Sequence, residues 1–393
     1  MRILARVILK KGREKPILRG HPWVFSGAVQ SIEDLSEEGQ LCDVLSSKGE
    51  FLARGYANPR SQITCRLLSR EKVSIDASFF RERIRKAHDH RKRFIPPDTN
   101  AFRLINSEGD FLPGLIVDVY GKGVCCQFLT AGMERWKREI VSILADELRP
   151  DYVYERSDTP SRAEEGLEPS KGLLMGTLDS PTEILENGHR FWVDVEGGQK
   201  TGFFLDQREN RGLVKALSKG RRVCDCFCYT GAFSIYAASG GARSVTCVDS
   251  SSKALGMAEE NFVLNDLEAF PRELICVDVF EFLRSDKSEY DLIILDPPAF
   301  AKDKASLKGA ARGYKDINLL ALKRLTANGI LVTFSCSHHI SPILFQQILF
   351  AAAVDSGRRV QIIKRLAHPF DHPTNISHRE GEYLKGFVLR VVE

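Results

Sequence analysis

The segment Asp225-Cys-Phe-Cys-Tyr-Thr-Gly231 is the most informative one for the architecture of the chain. It continues an apolar strand predicted over Arg222–Cys226 and precedes a helix predicted from about Ala232 to Ser239. A tight turn from strand to helix needs a small residue where the backbone approaches a ligand, and Gly231 meets that need. The pattern therefore predicts the first strand-helix pair of an α/β domain.

Four more apolar segments follow this pair, separated by helical patterns. They are Ser244–Val248, Leu274–Val277, Asp291–Leu295 and Gly329–Ser335. Strands that are apolar on both faces and alternate with helices indicate a mostly parallel sheet with helices on both faces, as in Rossmann-like folds. Ligands of such folds bind at the carboxyl ends of the strands.

The chain ahead of this domain has a different character. Residues 1–75 show short alternating segments broken by Gly, Pro and Ser, which predicts a small β-rich domain. Residues 76–195 are predicted to begin with a basic linker helix and to continue as a small α+β domain, and residues 196–393 are predicted to form the α/β domain. In the linker helix, Arg81–Arg93 holds seven Lys and Arg against two acids, so it is either a phosphate-binding surface or a solvated helix face.

Composition excludes several classes of protein. The 393 residues are 43% hydrophobic and 27% charged, with no apolar run long enough to cross a bilayer and no signal peptide. Ten cysteines are scattered without zinc-ligand spacing, which argues against both a disulfide framework and a metal site. Free thiols fit a reducing compartment, so a cytoplasmic protein is expected.

Three acids, Asp225, Asp249 and Asp278, lie at the ends of three successive predicted strands. The first turn lacks the G-x-G-x-x-G pattern that binds a pyrophosphate, which argues against a nicotinamide dehydrogenase. S-adenosylmethionine (SAM) contains adenosine but no phosphate, so its ammonium, ribose and adenine can each be addressed by one acid. Helix or turn capping is the alternative role for a single acid of this kind. Together the three acids predict SAM as the cofactor.

An upstream segment, residues 197–211, is predicted to act as a lid over the cofactor. Phe203 would pack on the cofactor, and Arg208 would reach its carboxylate or the substrate. The alternative is a hairpin that joins two domains. The full set of predicted cofactor-binding residues is Phe203, Asp206, Arg208, Asp225, Phe227, Tyr229, Thr230, Gly231, Asp249, Ser250, Asp278, Val279 and Asp296.

Two further motifs carry the predicted chemistry. Asp296-Pro-Pro ends the fourth strand, and its two prolines make the backbone rigid beside the methyl donor. Cys336 ends the fifth strand, where its thiolate could attack C6 of a pyrimidine and activate C5 for methylation. Asp296 is the candidate base that removes the C5 proton, and His338, His339 or a basic residue that binds the substrate could help the thiol to ionise. The alternative for Cys336 is a buried strand-end cysteine.

These residues resemble the RlmI-like methyltransferases, which make 5-methylcytosine in 23S ribosomal RNA. The resemblance covers nearly the whole chain and is carried by several motifs. They are Gly20-His-Pro-Trp-Val-Phe-Ser-Gly27, Gly55-Tyr-Ala-Asn-Pro59, Arg103–Asn106, Leu112–Asp118, Lys200–Arg208, Asp225–Gly231, Asp296-Pro-Pro and Ser335-Cys-Ser337.

The resemblance implies an RNA-binding PUA domain at the N-terminus, a homodimer, a ribosomal RNA substrate and Cys336 as the nucleophile. Many RNA cytosine methyltransferases have a second cysteine after the paired prolines, where this chain has Ala299. Two alternatives remain open: methylation of an exocyclic base nitrogen, and a non-catalytic RNA-binding factor of ribosome assembly.

Overall fold

A computed structural model describes residues 4–301 and 305–392. The chain divides into two compact units, one of residues 1–184, 193–205 and 370–381, the other of residues 185–192, 206–369 and 382–393. Within the described residues, no helix is both long enough and apolar enough to span a membrane.

The first unit begins with a six-stranded sheet. Its elements are β1 (Ala5–Leu9), α1 (Lys15–Leu18), β2 (Trp23–Phe25), β3 (Val29–Glu33), β4 (Gln40–Leu45), β5 (Phe51–Ala57) and β6 (Ile63–Ser69), with strand order β2-β6-β5-β4-β1-β3. Buried and exposed residues alternate along β1, because one face of that strand packs on the core. The predicted β-rich start of the chain is confirmed.

A second sheet of the same unit has the order β11-β10-β9-β8-β7. Its elements are α2 (Ala77–Phe94), β7 (Ala101–Asn106), β8 (Leu115–Tyr120), β9 (Gly123–Phe128), α3 (Ala131–Arg135), α4 (Lys137–Leu148), β10 (Tyr152–Ser157) and β11 (Ser170–Gly176). The Asp76 side chain caps the start of α2 by accepting from the backbone N–H groups of Ser78 and Phe79. Strands β12 (Thr182–Glu186) and β13 (His189–Val193) form a two-stranded sheet.

The basic run of α2 is largely paired within this unit. Arg91 is buried and makes a bidentate pair with Asp110, at 2.6 and 2.7 Å. The other pairs are Arg81 with Asp146 and Glu147, Arg85 with Glu147, and Lys86 with Glu82. Much of the positive charge that the sequence shows is therefore neutralised by carboxylates of the same unit.

The second unit is built around a seven-stranded sheet. Its elements are α5 (Arg208–Leu217), β14 (Arg222–Cys226), α6 (Ala232–Ser239), β15 (Ser244–Asp249), α7 (Ser252–Leu264), β16 (Arg272–Cys276), α8 (Val279–Ser285), β17 (Tyr290–Leu295), α9 (Leu307–Arg324), β18 (Leu325–Ser335), α10 (Pro342–Ser356), β19 (Val360–Leu366) and β20 (Lys385–Val391).

The strand order is β16-β15-β14-β17-β18-β20-β19. The first five strands in this order are parallel, and β20 is antiparallel to both of its neighbours. Strands β14 and β17 are almost wholly buried, as expected of strands covered on both faces. The predicted α/β class is confirmed. The division at residues 75 and 195 stays a prediction, although each of the three larger sheets lies within one of the three predicted segments.

Candidate active site

The turn after β14 is held in a strained conformation. Phe227, Tyr229 and Gly231 have positive φ angles of 63°, 49° and 76°. A Cβ at Gly231 would lie 2.9 Å from the Ala258 Cβ, so a side chain there would meet α7. Left-handed conformations cost energy for residues other than glycine, and such strain concentrates at functional sites. The turn therefore matches the ligand-binding role that the sequence predicts for it.

Asp225 lies at the end of β14 and is fully buried. Its Oδ2 accepts a 2.7 Å hydrogen bond from Ser234, whereas its Oδ1 has no hydrogen-bond partner. Burial raises the pKa of Asp225 to about 7, and the interaction with Ser234 opposes that rise. A buried carboxylate oxygen without a partner suits a cationic ligand group, such as the ammonium of SAM.

The hydroxyl of Thr230 is the second buried polar group of this turn without a partner. The backbone of the same residue is fixed, because Asn261 donates to its carbonyl at 2.9 Å. Two unpartnered buried oxygens in one strand-to-helix turn are expected where a polar ligand completes the hydrogen bonding. On this test the residues fit SAM.

Asp249 ends β15 and supports the same turn. Its Oδ2 accepts from the Tyr229 N–H and its Oδ1 from the Ser251 N–H, both at 2.9 Å. Each carboxylate oxygen has a second lone pair, so both remain able to accept from ribose hydroxyls. Asp249 thus connects the ends of two adjacent strands, and it can still accept the hydrogen bonds from ribose hydroxyls that the prediction requires. Ser250, which follows it, is exposed.

Asp278 follows β16 and is exposed. Its side chain caps α8 by accepting from the Glu281 N–H at 3.1 Å, so the capping role described above as the alternative applies to this acid. Val279 beside it is buried. A role of Asp278 with adenine stays a prediction.

The residues of the predicted lid lie in different units. Phe203 is buried in the first unit, where its carbonyl accepts from the Tyr120 hydroxyl at 3.4 Å. Asp206 and Arg208 belong to the second unit and are both buried. Asp206 accepts a 2.7 Å hydrogen bond from Tyr383, and Arg208 begins α5. The lid itself stays a prediction.

The two chemical motifs meet at the ends of neighbouring strands. Cys336 directly follows β18, and its thiol contacts the Pro297 carbonyl at a sulfur to oxygen distance of 3.7 Å. The sulfur-bearing side chain is part-buried, and Asp296 is part-buried as well. The structure thus brings Cys336 to the Asp296-Pro-Pro turn that the sequence singled out.

Ser337 fixes the turn that carries Cys336. Its hydroxyl lies 3.0 Å from the Tyr314 hydroxyl and accepts from the Ala301 N–H at 3.2 Å. Its carbonyl accepts from the Lys385 ammonium at 2.6 Å. Sequence reasoning missed Lys385, and the one local signal is a lysine directly before the apolar residues 386–389 of β20.

A separate buried ion pair stabilises α5. Arg211 and Glu186 are both fully buried and form a bidentate pair at 2.8 and 2.7 Å. The Tyr236 hydroxyl also donates to Glu186, at 3.0 Å. Both charges of this pair have their partners within the protein. Across residues 4–301 and 305–392, no group of His, Cys, Asp or Glu is arranged to hold a metal ion.

Comparison with known proteins shows the family to which the chain belongs. The profile of a PUA-like domain matches residues 7–70, and the profile of the S-adenosylmethionine-dependent methyltransferases matches residues 168–381. Two relatives are each named Ribosomal RNA large subunit methyltransferase I. The protein of Tolumonas auensis is 43% identical and that of Shewanella amazonensis 45%, and each match covers 98% of this chain and 99% of the relative.

A solved structure resembles the whole chain. A methyltransferase complexed with SAH superposes with a TM-score of 0.85 at 26% identity, covering 99% of this chain and 100% of that one. The chain therefore uses SAM as its cofactor, and it belongs to the S-adenosylmethionine-dependent methyltransferases, in the family of the Ribosomal RNA large subunit methyltransferase I proteins.

Proposed function

We propose that this enzyme methylates C5 of a cytosine in large-subunit (23S) ribosomal RNA through a covalent bond between Cys336 and C6. The names of its relatives support the ribosomal RNA substrate. The PUA-like domain of residues 7–70 supports RNA binding. The observation that carries the chemistry is the contact of the Cys336 thiol with the Pro297 carbonyl, at 3.7 Å.

The first step forms the bond between sulfur and C6. The Cys336 thiolate adds to C6 of the cytosine, and the electron pair of the C5–C6 double bond moves toward C5 and the ring. A part-buried cysteine suits this role better than a buried one, because the base must reach the sulfur. The neighbouring prolines keep the backbone rigid, which helps to orient the flat base.

SAM, when bound, supplies an electrophilic methyl group on a positively charged sulfur. The nucleophilic C5 would take that methyl group, and the electron pair of the broken methyl–sulfur bond would stay on the cofactor sulfur, which leaves S-adenosylhomocysteine. A base then removes the C5 proton, and the electron pair restores the C5–C6 double bond and expels the Cys336 thiolate. Asp296 is the proposed base, since its carboxylate follows β17 next to the proline turn that Cys336 contacts.

Residues of the second unit are proposed to hold SAM. Asp225 would accept from the ammonium, and Asp249 from the ribose hydroxyls. Asp278 and Val279 would address the adenine, while Arg208 would bind the carboxylate. The unpartnered oxygens of Asp225 and Thr230 support this arrangement most directly.

Cytoplasmic location and a homodimer are also proposed. Ten free cysteines support a reducing compartment. Helix α10 supports self-association, because Ile343, Phe350 and Val354 are exposed large apolar residues spaced to share one helix face. Sedimentation analysis tests the dimer. Phe350→Asp should shift it toward monomer, and a monomeric parent protein would contradict this part of the proposal.

The decisive test is mass spectrometry of ribosomal RNA nucleosides from cells with and without the gene. Loss of one 5-methylcytidine supports the proposal. An unchanged 5-methylcytidine level with a missing N-methylated base favours methylation of an exocyclic nitrogen, which needs no nucleophile. Unchanged levels of every methylated nucleoside favour the non-catalytic assembly factor.

A trapping experiment tests the covalent step itself. A substrate RNA with 5-fluorocytosine cannot lose a proton from C5, so the adduct with Cys336 should persist on a denaturing gel. Cys336→Ala should give no adduct, and Cys276→Ala is the matched control because Cys276 is exposed. An adduct that survives Cys336→Ala contradicts the assignment of the nucleophile.

A further inference from the structure

Lys385 is a buried lysine at the edge of the site. It is the first residue of β20, and in the antiparallel register it stands opposite Ser335, the last residue of β18. Only 5% of its surface is exposed. Lysine is among the residues least often buried, and a buried ammonium ordinarily has a carboxylate partner.

The partners of Lys385 are carbonyl oxygens. Its ammonium donates to the Ser337 carbonyl at 2.6 Å and to the Tyr383 carbonyl at 2.7 Å. Among residues 4–301 and 305–392, no carboxylate lies within ion-pair distance of its Nζ, in contrast to the buried Arg91 and Arg211. Two neutral oxygens leave its positive charge without a counterion and its third N–H available.

The group placed to balance this charge is Cys336, which directly precedes Ser337 in the chain. Burial lowers the pKa of Lys385 to about 8, and the Cys336 thiolate is the charge that acts to raise it again. The interaction is reciprocal, because a cation that is stabilised by a thiolate stabilises that thiolate equally. Neighbouring cations lower the pKa of reactive cysteines in this way.

We propose that Lys385 is a positioning residue for Cys336, holding the nucleophile turn through the Ser337 and Tyr383 carbonyls and placing a positive charge beside the sulfur to favour the thiolate. The proposal rests on the proposed function, in which Cys336 is the nucleophile. It gives a function to the buried charged residue that begins β20, and it assigns the help that the thiol needs to ionise.

Other titratable groups surround the pair. Burial raises the pKa of Tyr314, a residue of α9 that bonds Ser337, and the charge of Cys336 acts in the same direction. The ring of Tyr383 contacts His338 and His368, with centroids 5.8 and 4.5 Å apart. Because Cys336 and Lys385 interact, their protons are lost in steps that belong to the pair.

A purely structural lysine would hold the two carbonyls and leave the sulfur unaffected. The test is therefore the pH dependence of Cys336 alkylation by iodoacetamide, measured in a Cys276→Ser background because Cys276 is exposed and eight other cysteines are buried. Cys336→Ser in that background measures the remaining reaction. The variants are Lys385→Met, which removes the charge, and Lys385→Arg, which keeps it.

We expect the parent Cys336 thiol to titrate well below the usual cysteine pKa of about 8.5. In Lys385→Met its apparent pKa should rise by at least about one unit, which makes alkylation about tenfold slower at a pH below both pKa values. Lys385→Arg should retain most of the parent profile. An unchanged profile in a folded Lys385→Met variant, with SAM affinity as the check of folding, overturns the proposal.

The outcome stays decisive if Lys385→Met fails to fold. A parent thiol that titrates at or above about 8.5 overturns the proposal by itself, and one well below it that Lys385→Arg preserves supports it. Alkylation requires no RNA, so its result is separate from that of the 5-fluorocytosine trapping. A lowered thiol pKa without a trapped adduct would count against the cytosine chemistry and leave the role of Lys385 standing.

Discussion

Two regions of the second unit bury charge in opposite ways. At the start of α5, Arg211 and Glu186 form a bidentate pair, and the hydroxyl of Tyr236 adds a further hydrogen bond. At the strand ends, Asp225 has an unpartnered carboxylate oxygen, and Lys385 is held by carbonyls alone. The first region is complete by itself, whereas the second contains, within the described part of the chain, a carboxylate oxygen without a partner and an ammonium without a carboxylate counterion.

The presence or absence of a partner for a buried charge distinguishes structural from functional residues better than the type of residue does. A buried charge without a counterion costs stability, and such a cost persists where binding or catalysis recovers it. The shifted pKa values follow the same division, since burial raises that of Asp225 to about 7 and lowers that of Lys385 to about 8. Perturbed values of this kind concentrate at functional sites.

The largest effect is expected from removing the Cys336 sulfur at the strand ends. Cys336→Ala should lower turnover by more than about a thousandfold, because no other group can form the bond to C6. SAM affinity should stay within a factor of about two, since the predicted SAM contacts are made by other residues. Single-turnover methylation of ribosomal RNA and calorimetric SAM titration measure the two quantities. Full activity in this variant would exclude the covalent mechanism.

The buried ion pair of Arg211 and Glu186 can be broken by removing one of the two side chains. Arg211→Met leaves the Glu186 carboxylate buried without its cation, which should lower the free energy of unfolding by about 3–5 kcal/mol. Urea denaturation measures the change. In the double variant Arg211→Met, Glu186→Leu no charge stays buried, so much of the loss should be recovered. A single variant as stable as the parent would show that the pair does not stabilise α5.

Much of the region at the strand ends could be predicted because it depends on local sequence. An apolar strand followed by an acid predicts a carboxylate at a sheet edge, and Asp225 and Asp249 lie at such ends. Cys336 follows its strand in the same way. The capping role of Asp278 was also readable, because Glu281 stands three residues later, which is the spacing of a helix start.

What could not be predicted depends on contacts between distant parts of the chain. Lys385 lies beside the Cys336 turn only because β20 pairs with β18. In that register Lys385 stands opposite Ser335, which is 50 residues earlier in the chain. Helices α3 and α4 are separated at Trp136, which caps the end of the first and the start of the second. Neither the strand pairing nor this break has a local signal in the sequence.

A moderate effect is expected when the unpartnered carboxylate is neutralised. Asp225→Asn keeps the shape of the side chain but cannot pair with the SAM ammonium, so SAM affinity should fall by about 30- to 100-fold, or about 2–3 kcal/mol. The matched control is Ser234→Ala, which removes the neutral hydrogen bond to Asp225 and should cost less. Equal losses in the two variants would contradict a charge interaction with SAM.

The pH dependence sharpens this prediction. The pKa of Asp225 is raised to about 7, so the carboxyl is protonated below that pH and must lose its proton to bind an ammonium. Parent SAM affinity should therefore weaken as the pH falls below about 7, by at most tenfold per unit, whereas Asp225→Asn should give a flat profile. Titration calorimetry between pH 5.5 and 7.5 compares them. A parent profile as flat as that of the variant would contradict the assigned role.

The smallest effect is expected at the basic helix α2, where the sequence suggested a surface for phosphates. Arg85 pairs with Glu147, which also pairs with Arg81, so an RNA phosphate would have to displace a carboxylate already in place. Each phosphate contact contributes about 0.9 to the slope of log affinity against log salt. Arg85→Ala should therefore leave that slope unchanged in anisotropy titrations with a ribosomal RNA fragment. A slope that falls by about one would show that the helix exchanges its internal carboxylates for RNA, and that paired charge in this protein can serve binding as well as structure.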